Sequence, residues 1–268
     1  MWDSEHCSTP TPHTPLSTHQ LARAKLARFV AELFSEPDES WGARLADDAV
    51  RDELRIAARI LELPSERLDA ICDSAGALDE CRAARARLLG HTVRSECPPH
   101  ELEYDRSEIF QQAQSLADIA AFYRAFGFEM GGRLAERGDH FVAEWEFLSV
   151  LAFKELLALQ ASNFENAVCC REAQRAFLKE HAARWMPAFF NRLRRAETRG
   201  LLPQAARLTE ALLREWCGAL SVPFGPEWLD LRPISDGDVN ISCSPAQAGG
   251  VVELGPTLAA ALELRGRD

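Results

Sequence analysis

Residues 139–159 read DHFVAEWEFLSVLAFKELLAL and predict a long helix. Apolar residues recur there at the three- and four-residue spacing of one helix face. They are Val142, Trp145, Leu148, Ala152, Leu156 and Leu159. Asp139 stands just before this series, and its side chain is of the type that accepts hydrogen bonds from the free N–H groups of a first turn. We therefore expect Asp139 to be the N-cap of the helix.

Further helices are predicted on both sides of this one. Ser115 and Asp118 resemble a capping box, which predicts a helix beginning at Ser115 and carrying Tyr123 and Phe126. Gly127 is expected to end it, since glycine is the usual residue after a helix C-terminus. On the other side, the pattern predicts one helix over about 163–182 and a separate one over about 185–198.

The same periodicity extends from Thr18 to about Leu220, and no alternating strand pattern of useful length occurs. The sequence therefore predicts an all-α fold, a single helical-bundle domain of about 9–11 helices over residues 18–220. Residues 1–17 are rich in Ser, Thr, Pro and His and are expected to be a flexible tail. Residues 221–268 are expected to be an irregular C-terminal arm because prolines, glycines and serines interrupt any period there.

Composition narrows the classes of function. The formal net charge of −11 disfavours nucleic-acid binding, which needs a basic surface, and favours basic partners. No run approaches the roughly 18 apolar residues of a membrane-spanning helix, so no stable membrane insertion is expected. The first 20 residues lack the basic and apolar segments of a secretory signal. We therefore expect a cytoplasmic protein.

Motifs for catalysis or metal binding are lacking in the sequence. The eight cysteines form no CxxC pair and show no zinc-ligand spacing with histidine. No Gly-x-Ser-x-Gly, HExxH or phosphate-binding loop occurs. We expect neither a metal nor another cofactor, and we expect the protein not to be an enzyme.

The segment between Ser95 and Phe147 concentrates acidic and aromatic residues. It contains eleven acidic residues (96, 101, 103, 105, 108, 118, 129, 136, 139, 144 and 146) against four arginines (106, 124, 133 and 137). Nine aromatic residues lie in the same segment. Carboxylates and apolar surface together suit a peptide that carries arginines and an apolar run. Alternatively, the acidic residues lie on solvent-exposed helix faces and the aromatic residues pack in the core.

A family resemblance rests on this segment. It includes Glu101-Leu-Glu-Tyr104, the run from Leu116 through Tyr123-Arg-Ala-Phe-Gly127, Arg137-Gly-Asp-His140 and Glu144-Trp-Glu-Phe-Leu148, with Phe177-Leu-Lys-Glu-His181 and Trp185-Met-Pro187 farther on. The chain resembles the redox-enzyme maturation chaperones typified by those of trimethylamine oxide and dimethyl sulfoxide reductases, with the nitrate reductase chaperone a more distant relative. The sequence of residues 104–126 is most similar to that of chaperones of dimethyl sulfide, ethylbenzene or chlorate-type molybdoenzymes. The family usually has Arg-Pro-Asp-His, whereas this chain has Arg137-Gly-Asp-His140. The replacement of proline by Gly138 is expected to make the loop before the helix less rigid.

The resemblance implies a system-specific chaperone with an all-helical fold. Such a chaperone binds the twin-arginine signal peptide of a molybdoenzyme catalytic subunit precursor and holds this client in the cytoplasm until the molybdenum cofactor is inserted. A monomer and a helix-exchanging, domain-swapped dimer are both compatible with it. Some relatives have been proposed to bind guanine nucleotide, but no phosphate-binding loop is present here.

Seven residues are the predicted peptide-binding site: Asp139, His140, Glu144, Tyr123, Phe126, Tyr104 and Glu101. His140 and Glu144 are four residues apart, so they share a helix face that we expect to border the peptide groove. An N-cap role for Asp139 and core positions for the aromatic residues are the alternatives. His181 and Trp185 are expected to be a packing and hydrogen-bonding pair.

Two other functions are compatible with the sequence. One is a helical scaffold or adaptor that joins protein partners without reading signal peptides, using the C-terminal arm. The other is an enzyme for a small molecule hidden within a helical bundle.

Overall fold

The computed structural model describes residues 15–74, 78–90, 95–104, 109–129 and 137–233. Within these ranges the chain forms helices and no strand, which confirms the all-α prediction. The helices are α1 (Pro15–Phe34), α2 (Glu39–Ala46), α3 (Asp48–Ile60), α4 (Glu66–Ser74), α5 (Leu78–Leu88), α6 (Ile109–Ala125), α7 (Phe141–Gln160), α8 (Phe164–Phe177), α9 (Ala183–Ala196) and α10 (Leu201–Ala219). A 3-10 turn, Glu101–Tyr104, precedes α6.

The centre of the fold is α7, sixteen of whose twenty residues are buried. The sequence predicts one apolar face for it, whereas the structure surrounds it with α1, α8 and α9. Its pairing with α1 is antiparallel, since Phe141 packs against Phe34 with ring centroids 4.5 Å apart and the Ser149 hydroxyl donates to the Ala24 carbonyl at 2.8 Å. The helix is therefore a core element with no solvent face over most of its length.

Three carboxylates enter the core on α7, and each is bound by a different helix. Glu146 accepts a hydrogen bond from Arg28 of α1 at 3.0 Å, and Glu144 accepts one from the Trp185 indole of α9 at 3.2 Å. Glu155 accepts from Arg171 and Gln174 of α8, both at 2.8 Å. Burial raises the pKa of Glu146 to about 7. These bonds fix how the surrounding helices are rotated about α7, because a buried carboxylate without a partner is strongly destabilising.

Two predicted helix boundaries are wrong. Helix α6 begins at Ile109, so Ser115 lies inside it and is not its N-cap. The residues before Ser115 include glutamines and alanine, which favour a helix and contain no breaker. Helix α1 begins at Pro15, three residues before Thr18, because proline fits the first turn of a helix. The rest of the predicted tail, residues 1–14, lies outside the described residues.

The predicted break between residues 182 and 185 is also wrong. Helix α8 continues into α9 through a π-helical turn, Leu178–Ala182, and Pro187 lies inside α9. Proline has no N–H to donate to the carbonyl four residues before it, which is that of Ala183. The N–H of Gly225 donates to this carbonyl instead, at 3.0 Å. A residue after α10 thus supplies the hydrogen bond that Pro187 cannot.

Residues 221–233 follow α10 without helical structure and lie on α9, while residues 234–268 of the predicted arm lie outside the described residues. The main chain turns at Ser221, whose φ is +53°, and Val222 is buried. A Cβ on Gly225 would lie 2.2 Å from the Ala183 oxygen, so only glycine fits at this contact. In the described ranges, no helix combines the length and apolarity needed to cross a membrane.

Gly225→Ala should destabilise the protein, because the added methyl group overlaps the Ala183 carbonyl oxygen and removes its hydrogen bond. We expect a loss of about 2 kcal/mol in the free energy of unfolding, measured by urea denaturation followed by circular dichroism. Gly218→Ala is the matched control, since Gly218 lies in α10 with no atom within 4 Å of an added Cβ. It should stabilise by about 0.5–1 kcal/mol. Equal effects of the two substitutions would contradict the role assigned to Gly225.

Candidate functional site

The predicted site lies where the segment before α6 crosses the start of α7. His100 and His140 form an isolated antiparallel bridge. The N–H of Glu101 donates to the Asp139 carbonyl at 3.0 Å, and the N–H of Phe141 donates to the Pro99 carbonyl at 2.8 Å. Two segments that are distant in sequence are therefore joined by main-chain bonds at this point.

The carboxylate of Asp139 is fully buried and holds this crossing together. Arg137 donates to both of its oxygens, at 2.9 and 2.7 Å, and the N–H of Leu102 donates to Oδ2 at 3.1 Å. His100 Nδ1 lies 3.6 Å from Oδ1. Burial alone would raise the pKa of Asp139, but the interactions with His100 and Arg137 outweigh it and hold this pKa well below its usual range. Asp139 is thus an ionised anchor inside the protein.

The N-cap of α7 is His140, so the prediction of Asp139 as the cap is wrong. His140 Nδ1 accepts the N–H of Val142 at 3.1 Å, while the Asp139 oxygens are taken up by Arg137 and Leu102. Burial, with the neighbouring His100 and Arg85 side chains, lowers the pKa of His140 well below its ordinary value. The half-buried ring is therefore neutral, and because Nδ1 accepts, Nε2 carries the proton and is a hydrogen-bond donor.

Two further predicted residues are buried behind the crossing. Glu101 Oε2 lies 3.1 Å from His181 Nδ1, and Glu144 Oε2 accepts from the Trp185 indole. His181 and Trp185, predicted as a pair, each bind a carboxylate. Burial and the neighbouring Glu101 carboxylate raise the pKa of Glu144 well above its ordinary value. Glu144 faces α9 and does not reach the surface in this conformation.

The aromatic residues of the site are mostly core residues. The Tyr123 hydroxyl donates to the Gly138 carbonyl at 2.7 Å, and its buried ring packs on Phe128 and Phe147, each with centroids 4.8 Å away. Tyr104 is buried against Trp185. Phe126 is half-buried, and Gly127, with φ +63°, follows it after the end of α6 as predicted. Of the seven predicted residues, only His140 and Phe126 are partly accessible.

The acidic concentration seen in the sequence is largely internal. Glu101, Asp139, Glu144 and Glu146 are buried. Glu103 is mostly buried and binds Arg137 at 3.2 Å. The acids at 96, 118 and 129 are exposed, and those at 105, 108 and 136 lie outside the described residues. Arg137, His100 and Glu103 complete the site but were not among the predicted residues. Arg137 stands two residues before Asp139 in the quoted motif, a signal that could have identified it.

Comparisons with known proteins agree with one another. A family model described as nitrate reductase delta subunit matches residues 53–191, just over half of the chain. The chaperone protein TorD of Vibrio cholerae serotype O1 is 26% identical over 203 residues, which are 72% of this chain and 89% of that protein. The chlorate reductase assembly chaperone protein of Ideonella dechloratans is 37% identical over 87 residues, 31% of this chain and 42% of that protein. The selenate reductase assembly chaperone protein of Thauera selenatis is 36% identical over 78 residues, 29% of this chain and 39% of that protein.

Asp139→Asn should destabilise the protein by about 2–3 kcal/mol at pH 7, because it removes the charge that Arg137 and His100 bind. The folded pKa of Asp139 lies below the unfolded value of about 4, so this contribution is full above pH 4 and is lost as the pH falls through the folded value. The difference in unfolding free energy between wild type and variant should therefore shrink below about pH 4.

Asp118→Asn, an exposed acid on α6, is the control and should change stability by less than about 0.5 kcal/mol. Chemical denaturation at several pH values measures both variants. A loss for Asp139→Asn that is the same at pH 7 and pH 3 would contradict the ionised anchor.

Proposed function

The chain belongs to the nitrate reductase delta subunit family, and from this we propose that it is a cytoplasmic assembly chaperone for a molybdenum-containing reductase. Its client is the catalytic subunit precursor of that enzyme. The chaperone binds the client's twin-arginine signal peptide and retains the client until the molybdenum cofactor is inserted. The match to TorD over 203 residues carries the proposal, because it covers 72% of this chain and 89% of that protein. The partial matches to chlorate and selenate reductase chaperones support a client of that chemical class.

The chemistry at the crossing is compatible with such a ligand. A guanidinium group binds best to carboxylates, and Asp139 and Glu103 already bind Arg137 in this way. At the surface of the crossing, the neutral His140 ring offers an Nε2–H donor, and Phe126, just after α6, offers a half-buried apolar face that packs on Phe147. We assign the first contact with the peptide to these two side chains, with Asp139, Glu101 and Glu144 holding the site from inside. Tyr123 and Tyr104 position the main chain around it.

An adaptor that does not read signal peptides is the second candidate. The observation in its favour is an exposed apolar surface where α7 turns into α8. Phe164 is 68% exposed and Val168 59%, one helix turn apart on α8, and Leu157 of α7 is 41% exposed. Surfaces of this kind often mark contacts with other proteins. They do not explain why the family motif lies at the crossing.

Isothermal titration calorimetry with a twin-arginine signal peptide tests the proposal. We expect micromolar affinity, and at least about tenfold weaker binding when both arginines are replaced by lysine, since lysine lacks the planar fork. A scaffold of the second kind would bind neither peptide. Absence of binding by the arginine peptide at micromolar concentration would overturn the proposed function.

His140→Asn tests the assigned contact without removing the helix cap, because asparagine also caps N-termini well. The variant should bind the arginine peptide about fivefold more weakly while its melting temperature changes little, since one hydrogen-bonded contact is lost. His19→Asn near the start of α1, at the opposite end of the antiparallel pair from His140, is the matched control and should bind as the wild type does. Equal affinity of the two variants would remove His140 from the site.

A further inference from the structure

Residues 222–233 belong to the described part of the predicted C-terminal arm and connect α10 to the candidate site. From here on, the arm means these residues. The arm is anchored at one end by Val222, which is buried, and by the bond from Gly225 to Ala183. At the other end, the N–H of Arg232 donates to the Glu103 carbonyl at 2.8 Å. The arm therefore crosses α9 and ends on the 3-10 turn that carries Glu101 and Glu103.

Hydrogen bonds join the surface under the outer part of the arm, residues 227–233, to the backbone of the arm. Asn191 Nδ2 donates to the Glu227 carbonyl at 2.9 Å, and Arg192 Nη2 donates to the Leu229 carbonyl at 2.8 Å. The Glu103 carbonyl accepts the N–H of Arg232. Such bonds depend on an extended main chain rather than on particular side chains, so another extended peptide could make them equally well.

The side chains of the outer arm resemble the ligand class of the proposed function. The Arg232 guanidinium lies 3.8 Å from Glu103 Oε1, and the two side chains are only 15% and 14% exposed. Glu103 also binds Arg137, so it receives two guanidinium groups. Leu229 and Leu231 pack on the core, and Trp228 stacks on Arg192 with 4.9 Å from the guanidinium carbon to the ring centroid. The arm therefore already places one arginine against a carboxylate on this surface, with apolar residues beside that arginine in the chain.

We propose that the surface formed by Glu103, Asn191 and Arg192 is a binding groove for an extended, arginine-containing and apolar segment of the client, and that residues 227–233 occupy this groove in the free protein. The inference rests on the proposed function and adds to it the groove and the segment that competes for it. The client displaces the outer arm, and Gly225 remains in place because no other residue fits against Ala183.

The contacts that hold the outer arm are of the kind that opens readily. Trp228 is 52% exposed, and its stacking on Arg192 and Arg195 is a surface interaction. The inner arm, in contrast, has the buried Val222 and the Gly225 contact. Leu229 and Leu231 pack on the core but are only partly buried, and segments without fully buried apolar side chains are the ones that open locally without global unfolding.

The test uses the full chain with Trp228→Ala and Arg232→Ala combined. The two substitutions weaken the contacts between the outer arm and the groove, so a larger fraction of the molecules has the groove free. In calorimetry this variant should bind the twin-arginine peptide roughly tenfold more tightly than the wild type, because the apparent dissociation constant falls as that fraction rises. The matched control combines Ile56→Ala, also 52% exposed, with Arg175→Ala, an exposed arginine on α8. The control should bind as the wild type does.

Amide hydrogen exchange provides a second readout in the wild-type protein. When peptide is added, the Arg232 N–H should exchange faster because its bond to Glu103 is broken, whereas the Gly225 N–H should keep its protection. Unchanged affinity of the arm variant, or slower exchange at Arg232 with peptide bound, would overturn the inference while leaving the proposed function intact. Absence of peptide binding by the wild type and by every variant would overturn both.

Discussion

The burial of α7 on nearly all sides is the constraint on which the rest of the structure depends. A helix with no solvent face cannot leave a carboxyl group without a hydrogen-bond partner, since burying an unpaired polar group is unfavourable whether or not it is ionised. Its three buried acids therefore require partners, and α1, α8 and α9 supply them through Arg28, Arg171 with Gln174, and Trp185. Apolar packing alone would allow these helices several rotations about α7, and the polar bonds select one arrangement.

The same constraint explains which features could be predicted from the sequence. The all-α class and the end of α6 just before Gly127 depend on local periodicity and glycine chemistry, which are visible in one segment at a time. The direction of the α7 acids could not be predicted, because the helix is buried on nearly every side and its polar residues do not mark a solvent-facing side. The N-cap of α7 could not be identified from the sequence for a related reason. Asp139 is a good cap by type, but its oxygens are bound by Arg137 and by the Leu102 N–H of a distant segment.

The course of the arm is a second case in which distant residues decide a local structure. Its prolines and glycines predict irregular chain but give no location for it. Its position follows from Pro187, which leaves the Ala183 carbonyl without a helical donor, and from Gly225, which can approach closely enough to supply one. Neither residue is informative by itself. Together they attach the segment after α10 to the one place on α9 where a main-chain acceptor is left over by the proline.

The 3-10 turn Glu101–Tyr104 connects the interior with the arm. Glu101 binds His181 in the core, whereas Glu103 binds Arg137 and Arg232 near the surface. Leu102, between them, donates its N–H to Asp139. A ligand that replaces Arg232 on Glu103 therefore acts on a turn whose neighbouring residues hold the Asp139 anchor and the buried Glu101. These contacts of Glu103, Leu102 and Glu101 therefore join the arm, the Asp139 anchor and the core through one short turn. Under the proposed function, binding of the client segment would therefore act first on this turn, which lies outside the helices packed around α7.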